Sequence, residues 1–369
     1  MRYANLPDRS RNRLLANLVA ALASACAVVT FGASGAVANN GASNSGIAIL
    51  ATQNMDEGSD FGPVLGAVSQ TEFLSAVHST WLEVQASNIP ERAAAVAGEI
   101  AVLHPDLIGL QEVSQWRTGP LFSPPTSLRF DALQSLLDAL AQRGAHYAAI
   151  ATITEGQFEA PDVYAGIEVA VTDLDVILAR TDLGDVLSTS NVQTQHFSTL
   201  LSLTTPFGNS ITVNRGWASV DVTLRGRAFR FITTHLEAFV PAIQVAQAAE
   251  LVNGPANTAL PVVLGGDLNS AAAGGPDSSA SYNNIITAGF ADVWNATNPG
   301  RSGFTWPLHL EDPYTPTATP SERIDLLLTK GVWNPIVSWR FGNLPIFRTS
   351  SGLWPSDHAG VACILARAS

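Results

Sequence analysis

The chain has 369 residues, of which 46% are hydrophobic, and it carries a formal net charge of −12. This length provides enough apolar surface for a stable core, and two cysteines in the whole chain exclude a disulfide-dense scaffold. The acidic balance disfavours tight non-specific binding to nucleic acid, although nucleic acid stays open as a substrate.

The first 38 residues have the order of a secretory signal peptide. Four arginines precede residue 14, residues 14–31 are almost entirely apolar, and residues 36–38 form an Ala-Val-Ala cleavage site. A membrane anchor is the alternative, because the apolar run is nearly long enough to span a bilayer, but its small and hydroxyl-bearing residues favour cleavage. We expect a cleaved signal peptide over 1–38, a flexible lead over 39–46 and a single domain over 47–369.

Cleavage removes four arginines and one aspartate, which takes the net charge from −12 to −15 and leaves Cys363 as the only cysteine. No intrachain disulfide is then possible. We expect a secreted protein, extracellular or periplasmic, that is monomeric and has no transmembrane segment after cleavage.

Apolar periodicity predicts strands that alternate with helices. A strand is expected over 47–52, a helix from Pro90 to Leu103, a strand over 107–110, and a helix from Phe130 to Leu140 that Gly144 ends. Further strands are expected over 176–178, 219–224, 229–234, 262–264, 324–328 and 361–365, with a hairpin turn at 225–227. The pattern indicates an α/β fold, a four-layer α-β-β-α sandwich with two mixed sheets packed face to face and helices outside.

Polar side chains occur where these strands begin or end. In chain order they are Asn54, Gln111, Glu112, His235, Asp267, Asn269, Asp325, Asp357 and His358. If the strand ends meet, they form one polar pocket on a rigid scaffold. Two carboxylates about 4 Å apart repel by roughly 4 kcal/mol at an effective dielectric near 20, so such a pocket requires a divalent cation and a protonated histidine. Oxygen ligands favour Mg²⁺, Mn²⁺ or Ca²⁺ over zinc.

This ordered set resembles the endonuclease/exonuclease/phosphatase superfamily over nearly the whole chain after the lead. The motifs are Asn54, Gln111-Glu112, Thr234-His235-Leu236, Gly266-Asp267-Leu268-Asn269, Arg323-Ile324-Asp325 and Ser356-Asp357-His358. Each motif alone is weak evidence for the family, whereas six motifs in the family's order are specific evidence for it. The resemblance implies a metal-dependent phosphoesterase.

The resemblance also implies a cation site. It makes Glu112 the principal metal ligand, with Asn54 beside it binding metal or phosphate, and Asp357 a further ligand through water. The expected ion is Mg²⁺, with Mn²⁺ or Ca²⁺ as alternatives.

The catalytic roles are implied in the same way. Asp267 orients and deprotonates the attacking water, and Asn269 helps to hold it. His358 contacts a non-bridging phosphate oxygen, and Asp325 keeps that imidazole charged. His235 is a second imidazole donor on the other side of the phosphate.

Further residues each have two interpretations in this scheme. Arg180 either touches substrate phosphate or caps a strand. Trp306 and Tyr314 lie in a Pro-rich, aromatic segment over 304–320 that leads into the Asp325 motif, and they either contact substrate, with Trp306 the expected contact, or only fill the loop. Asp56 either binds a second metal ion or starts a long loop, and the sequence leaves both open.

Structural alternatives exist for several of these residues. Asp267 and Asn269 are common turn formers, Asp325 can pair with the neighbouring Arg323, and His235 can be a satisfied core histidine. The five companion motifs favour the functional interpretation of each.

Two substrate classes fit a secreted phosphoesterase. A lipid or small-molecule phosphodiester is slightly preferred, because basic loops for nucleic-acid backbone contacts are sparse. An extracellular nuclease is the alternative, and a non-catalytic binding module on the same fold is the alternative from another class.

Overall fold

The computed structural model describes residues 46–274, 279–309 and 319–367. The predicted signal peptide and the lead up to residue 45 lie outside these ranges and stay predictions. Within the described ranges, no helix has the length and hydropathy that a membrane crossing requires.

Each predicted strand and helix has a counterpart in the structure, but residues 147–235 form seven consecutive strands with no α-helix among them. The strands are β1 (Ile47–Asn54), β2 (Leu107–Gln111), β3 (Gln115–Pro120), β4 (Ser127–Asp131), β5 (Tyr147–Asp162), β6 (Ile167–Arg180), β7 (Leu187–His196), β8 (Leu201–Thr204), β9 (Ser210–Val213), β10 (Gly216–Leu224), β11 (Arg227–His235), β12 (Val262–Asp267), β13 (Ala291–Asp292), β14 (Asp325–Lys330), β15 (Trp333–Phe341) and β16 (Gly360–Arg367). The helices are α1 (Gly62–Leu65), α2 (Gln70–Ser87), α3 (Ile89–Leu103), α4 (Ala132–Gln142), α5 (Pro241–Asn253), α6 (Ala280–Thr287) and α7 (Val293–Thr297).

Two large sheets and one separate hairpin contain these strands. The first sheet has the order β15-β16-β1-β2-β6-β3-β4, with β5 paired to β6, and the second has the order β13-β14-β12-β11-β10-β7. Strands β8 and β9 pair only with each other among the described strands. Each large sheet is mixed, because β1 and β2 are parallel, as are β11 and β12, while their other neighbours are antiparallel.

Side-chain alternation along the strands produces the four layers. Leu50 of β1 and Phe231 of β11 belong to the core between the two sheets, whereas Ala51 packs with α3 and α4 on the outer face of the first sheet. Ile232 packs with α5 and α6 outside the second sheet. The predicted α-β-β-α sandwich with face-to-face mixed sheets is confirmed.

Local sequence explains where the helices begin. Ser69 caps α2 by accepting a hydrogen bond from the Glu72 amide at 3.2 Å, and Asp131 caps α4 through the Gln134 amide at 2.9 Å. Because Asp131 is the cap, Phe130 lies in β4 and not in the helix that the sequence analysis starts there. The helix predicted from Pro90 to Leu103 is confirmed as α3.

Strand direction brings the polar strand ends to one edge of the sandwich. In the first sheet Asn54 is the register partner of Gln111, and in the second sheet His235 is the partner of Asp267. Strand β14 runs antiparallel to β12, so its first residue, Asp325, faces Asp267. The carboxyl ends of four strands and the start of a fifth therefore lie together.

Candidate active site

The cluster at this edge joins the two sheets through Asn54. Its Nδ2 donates to Glu112 Oε1 at 2.9 Å and to Asp267 Oδ2 at 3.1 Å, so the amide links a carboxylate of the first sheet to one of the second. Asn54 and Asp267 are buried, and Glu112 is partly buried. The predicted convergence of the strand ends is present in the structure.

His358 and Asp325 form a buried pair in the same cluster. His358 Nδ1 lies 2.9 Å from Asp325 Oδ2. The backbone amide of Asp325 donates to Thr305 Oγ1 at 3.2 Å, which fixes the position of Asp325. The neighbouring Arg323 pairs instead with Asp292 at 2.8 Å. The alternative of an Arg323–Asp325 ion pair is therefore wrong.

The surrounding carboxylates decide the charge of His358. Burial disfavours the protonated ring, but Asp325, Asp357 and Asp267 outweigh it and raise the pKa of His358 well above its usual value. Its Nε2 lies 3.8 Å from Asp267 Oδ2, beyond hydrogen-bond distance, and points into the cluster. This environment favours the imidazolium form of His358, whose Nε2–H then faces the cluster.

Glu112 and Asp267 are the carboxylates best placed for a cation. Burial, together with the charge of Asp357, raises the pKa of Glu112 to about 8, and burial with Asp325 raises the pKa of Asp267 to about 6. Glu112, Asp267 and His235 offer ligand atoms within 4.8 Å of one another, and Asp267, Asp325 and His358 do the same. The carboxylate oxygens among these atoms, with Asp325 Oδ1 lacking a hydrogen-bond partner within the described residues, fit a hard divalent cation.

His235 is held differently from His358. Arg215 Nη1 lies 2.5 Å from His235 Nδ1, and because a guanidinium only donates, Nδ1 must accept. Burial, Arg215 and His358 lower the pKa of His235 well below its usual value, so the ring is neutral and its hydrogen is on Nε2. Nε2 faces Asp267 Oδ2 at 3.6 Å and Glu112 Oε1 at 3.9 Å. In this tautomer Nε2 is a hydrogen-bond donor and not a metal ligand.

The amide of Asn54 connects the two carboxylates to the following loop. Its Oδ1 accepts the backbone amide of Asp56 at 2.9 Å, which leaves Nδ2 facing the two carboxylates. In this orientation Nδ2 holds Glu112 and Asp267 in place and is a donor for a phosphate oxygen, which is one of the two roles predicted for Asn54; metal binding by Asn54 stays a prediction.

The backbone after β2 and β12 aims the two key carboxylates. Glu112 has φ 55° and Asn269 has φ 46°, both in the left-handed region that non-glycine residues rarely adopt. The Asn269 amide donates to Asp267 Oδ1 at 2.9 Å, and its side chain donates to the Leu236 carbonyl at 3.0 Å. Asp267 and Asn269 therefore form a turn, and this same turn positions the Asp267 carboxylate in the site.

Asp357 and Trp306 complete one side of the cluster. Trp306 Nε1 donates to Asp357 Oδ2 at 3.2 Å, and its ring centroid lies 6.4 Å from that of His358. Burial raises the pKa of Asp357. The structure brings both predicted residues to the site, while Tyr314 lies outside the described residues.

Asp56 is neutralised by its neighbours. Its Oδ2 lies 3.2 Å from Arg92 Nη1 and 3.3 Å from His309 Nε2. Burial opposes ionisation, but Arg92 and His309 hold the pKa of Asp56 well below its usual range. These two partners favour a structural role for Asp56 over a second metal site.

Arg180 lies at the end of the first sheet's strands that is opposite to the cluster. Strand β6 runs antiparallel to β2, so its last residue is near the start of β2, where the Arg180 amide donates to the Asp106 carbonyl at 3.1 Å. Its guanidinium pairs with Asp182 at 2.7 Å. The predicted substrate contact of Arg180 is corrected by this placement, and the strand-end alternative fits.

A group of carboxylates that no sequence motif predicts surrounds Arg215. Arg215 Nη1 lies 3.6 Å from Asp173 Oδ2, and Glu57 and Glu155 also face this guanidinium. Burial and the neighbouring carboxylates raise the pKa values of Glu57 and Glu155 well above the usual range. Asp173 follows Thr172 inside an apolar strand, and that unusual position was the available signal.

A single cavity of about 1350 Å³ contains the cluster and extends beyond it. Near the cluster it is lined by Glu112, His235, Asp267 and His358, and farther out by side chains of α1, α2, β5 and the β8–β9 hairpin. Arg215 is the only Lys or Arg among its described lining residues.

The sequence and the fold both match known proteins. The Endonuclease/Exonuclease/phosphatase family model matches residues 81–358, and no curated protein matches at a significant level. An endonuclease/exonuclease/phosphatase family protein from Leptotrichia buccalis C-1013-b superposes with a TM-score of 0.54 at 15% identity, covering 86% of this chain and 98% of that chain.

Two structures of D. rerio TDP2 are also similar. The form humanized by 14 mutations has a TM-score of 0.53 at 16% identity and covers 87% of this chain and 99% of that chain. The complex with a single strand DNA product has a TM-score of 0.50 at 16% identity and covers 86% and 98%. At these identities the likeness shows the fold alone.

Proposed function

Because this chain belongs to the Endonuclease/Exonuclease/phosphatase family, we propose that it is a secreted, divalent-metal-dependent hydrolase of phosphate esters. The observation that carries the proposal is the meeting of Glu112, Asp267 and His358 at one edge of the sandwich, where Asn54 and Asp325 hold them.

The carboxylates are the proposed cation site. Glu112 would be the principal ligand, with Asp357 reaching the ion through water, and their oxygens suit Mg²⁺, Mn²⁺ or Ca²⁺. When bound, the cation neutralises these carboxylates and withdraws charge from the phosphate oxygens. We propose Mg²⁺ as the ion.

Asp267 is the proposed general base. Its pKa of about 6 leaves it ionised at neutral pH, yet close enough to neutrality to accept a proton from water. Hydrogen bonds from Asn269 to Oδ1 and from Asn54 to Oδ2 fix the carboxylate, so the attacking water is oriented before reaction.

The two histidines stabilise the phosphate in different ways. His358 supplies a positive N–H, which Asp325 aims from behind, and His235 supplies a neutral N–H from Nε2. Donors that are fixed before the reaction stabilise the charge that grows on non-bridging oxygens in the transition state.

A lipid or small-molecule phosphodiester is the proposed substrate. The acidic chain repels polyanions, and Arg215, the single Lys or Arg among the described lining residues, is already engaged by Asp173 and His235. A nuclease remains the second outcome of the substrate test.

Secretion is proposed from residues 1–38, whose basic start, apolar run and Ala-Val-Ala end support export. N-terminal sequencing of protein exported by an expressing bacterium should begin at Asn39. A chain that keeps residue 1 and sediments with membranes contradicts this proposal.

One substrate panel tests the activity. Wild type is assayed on bis-p-nitrophenyl phosphate, plasmid DNA, sphingomyelin and phosphoinositides, each with Mg²⁺, Mn²⁺, Ca²⁺ or EDTA. We expect turnover of a phosphodiester that requires the cation. His358→Ala should lower it by about 10²–10⁴-fold, while His146→Ala, an exposed histidine, should leave it unchanged. Metal binding without turnover of any ester supports the binding-module alternative instead.

A further inference from the structure

The cavity that holds the cluster has a second, apolar end. We define the apolar compartment by Phe61, Leu65, Phe73, Val77, Phe158 and Phe207, which line the cavity away from the strand ends. Phe73 and Val77 are buried in α2, and Phe207 is 44% exposed at the tip of the β8–β9 hairpin.

The β8–β9 hairpin covers one side of this compartment. The Phe207 ring meets the Phe73 ring edge-on at a centroid distance of 5.7 Å, so the hairpin tip reaches across to α2. The turn is tight, because the Thr205 amide donates to the Asn209 carbonyl at 2.8 Å and Gly208 takes φ 85°. This contact closes one side of the cavity over an apolar floor.

Aromatic rings form the inner wall. Phe61 lies 6.0 Å from Trp116 in a stacked arrangement and 6.1 Å from Phe158. Rings held against one another in this way keep the wall in shape before a ligand binds, which lowers the ordering cost of binding.

Carboxylates also line this cavity. Glu57, Glu155 and Asp173 line the cavity beside Arg215, and Glu155 Oε1 and Asp173 Oδ1 have no hydrogen-bond partner within the described residues. A second phosphate here would find no Lys or Arg except Arg215 among the described lining residues, and Asp173 and His235 already engage that guanidinium. A ligand with one phosphate at the cluster and an uncharged chain beyond it needs no such partner.

We propose that the apolar compartment binds an unbranched hydrocarbon chain of the substrate, one ester substituent of the phosphate held at the cluster. The inference rests on the proposed phosphoesterase function and adds a chain-binding subsite to it. Each methylene that leaves water contributes about 0.8 kcal/mol, or roughly fourfold in kcat/KM when the chain is bound in the transition state.

A homologous series of substrates tests the subsite. Methyl, butyl and octyl p-nitrophenyl phosphate are hydrolysed at concentrations where all three are monomeric, with Mg²⁺ saturating. We expect kcat/KM to rise at least about tenfold from methyl to octyl.

Two variants test where the chain binds. Phe207→Ala removes the ring that covers the compartment and should lower the ratio of the octyl to the methyl kcat/KM at least about threefold. Ile211→Trp adds bulk from β9 into the cavity and should lower this ratio further. Leu82→Ala is the control, because Leu82 lies on α2, is 52% exposed and does not line the cavity. Its ratio should equal that of wild type.

The outcomes separate the two proposals. If wild type hydrolyses the methyl ester with no dependence on chain length, or if Phe207→Ala keeps the wild-type ratio, the subsite is refuted and the phosphoesterase stands. A single-stranded oligonucleotide hydrolysed with a higher kcat/KM than the octyl ester also refutes the subsite. If no ester is hydrolysed, the proposed function itself fails.

Discussion

At the scale of single residues, the cluster contains two histidines in opposite charge states. Burial lowers the pKa of both rings, but three carboxylates outweigh it at His358, whereas Arg215 adds to it at His235. Arg215 is therefore a positioning residue, because it fixes which nitrogen of His235 carries the hydrogen. Asp325 has the same kind of role toward His358.

Replacing Arg215 tests this tautomer assignment. In Arg215→Met the His235 Nδ1 loses its donor, so the ring should become a mixture of tautomers and activity should fall by about 10–100-fold. The ¹⁵N NMR spectrum of the metal-free protein is the measurement, and wild type should show the Nε2–H form alone. Arg215→Lys keeps a cationic donor and should keep more of that form. An Arg215→Met spectrum identical to that of wild type contradicts the assignment.

At the scale of elements, the end of β12 depends on a glycine next to Asp267. A Cβ added at Gly266 would lie 2.1 Å from the Thr234 carbonyl oxygen on β11, a backbone atom that cannot move without disturbing the sheet. The glycine therefore allows the two parallel strands to approach closely where His235 and Asp267 face each other.

Gly266→Ala should destabilise the protein by about 1–3 kcal/mol, as overpacking does elsewhere, and should displace Asp267. Denaturant unfolding measures the first effect and phosphodiester turnover the second. Gly98→Ala in α3 is the matched control, because a Cβ there meets only the Arg143 side chain, at 3.6 Å. The control should be neutral or slightly stabilising. Equal stability of Gly266→Ala and wild type would show that the strands tolerate wider spacing.

Helix α3 carries a buried acid that links stability to pH. Glu99 is 6% exposed, neither carboxylate oxygen has a hydrogen-bond partner within the described residues, and burial raises its pKa well above the usual value. The unfolded chain therefore releases this proton at lower pH than the folded protein does. The free energy of unfolding is therefore highest at pH values below the pKa of Glu99 in the unfolded chain. It declines as the pH rises toward the pKa of Glu99 in the folded protein.

Glu99→Gln removes that dependence. The variant should be more stable than wild type by about 1 kcal/mol or more at pH 8, and the difference should shrink at pH 4. Denaturant midpoints at the two pH values measure it, with Glu159→Gln, an exposed glutamate of β5, as the control. A difference that is constant between pH 4 and pH 8 contradicts the buried-acid account.

At the scale of the whole molecule, the sequence predicts the layers and most of the site. Strands such as β1 and β12 are buried, so their sequences are continuous apolar runs, and the polar residues at their ends stand out from these runs. Helix α2 was missed although Ser69 and Glu72 have the spacing of a helix cap. Strands β5 and β7 were missed because much of each is polar or exposed.

The remaining errors concern strand direction and distant partners. Arg180 ends a strand as Asn54 does, but β6 runs the opposite way to β1 and β2, and nothing in the local sequence states that direction. Arg215 was missed because its partners, His235 and Asp173, come from other strands. Which of its two predicted roles Asn54 takes depends on which amide atom faces the carboxylates, and only tertiary contacts decide that.

The cluster as a whole is tested most directly by the initial rate of bis-p-nitrophenyl phosphate hydrolysis in wild type and in Asp267→Asn, each with excess Mg²⁺ and with EDTA. Asp185→Asn, an exposed aspartate, is the control. We predict turnover in wild type and the control that EDTA abolishes and Mg²⁺ restores, and a loss of about 10²–10⁴-fold in Asp267→Asn. Turnover that persists in EDTA, or an Asp267→Asn rate equal to that of wild type, would contradict the account.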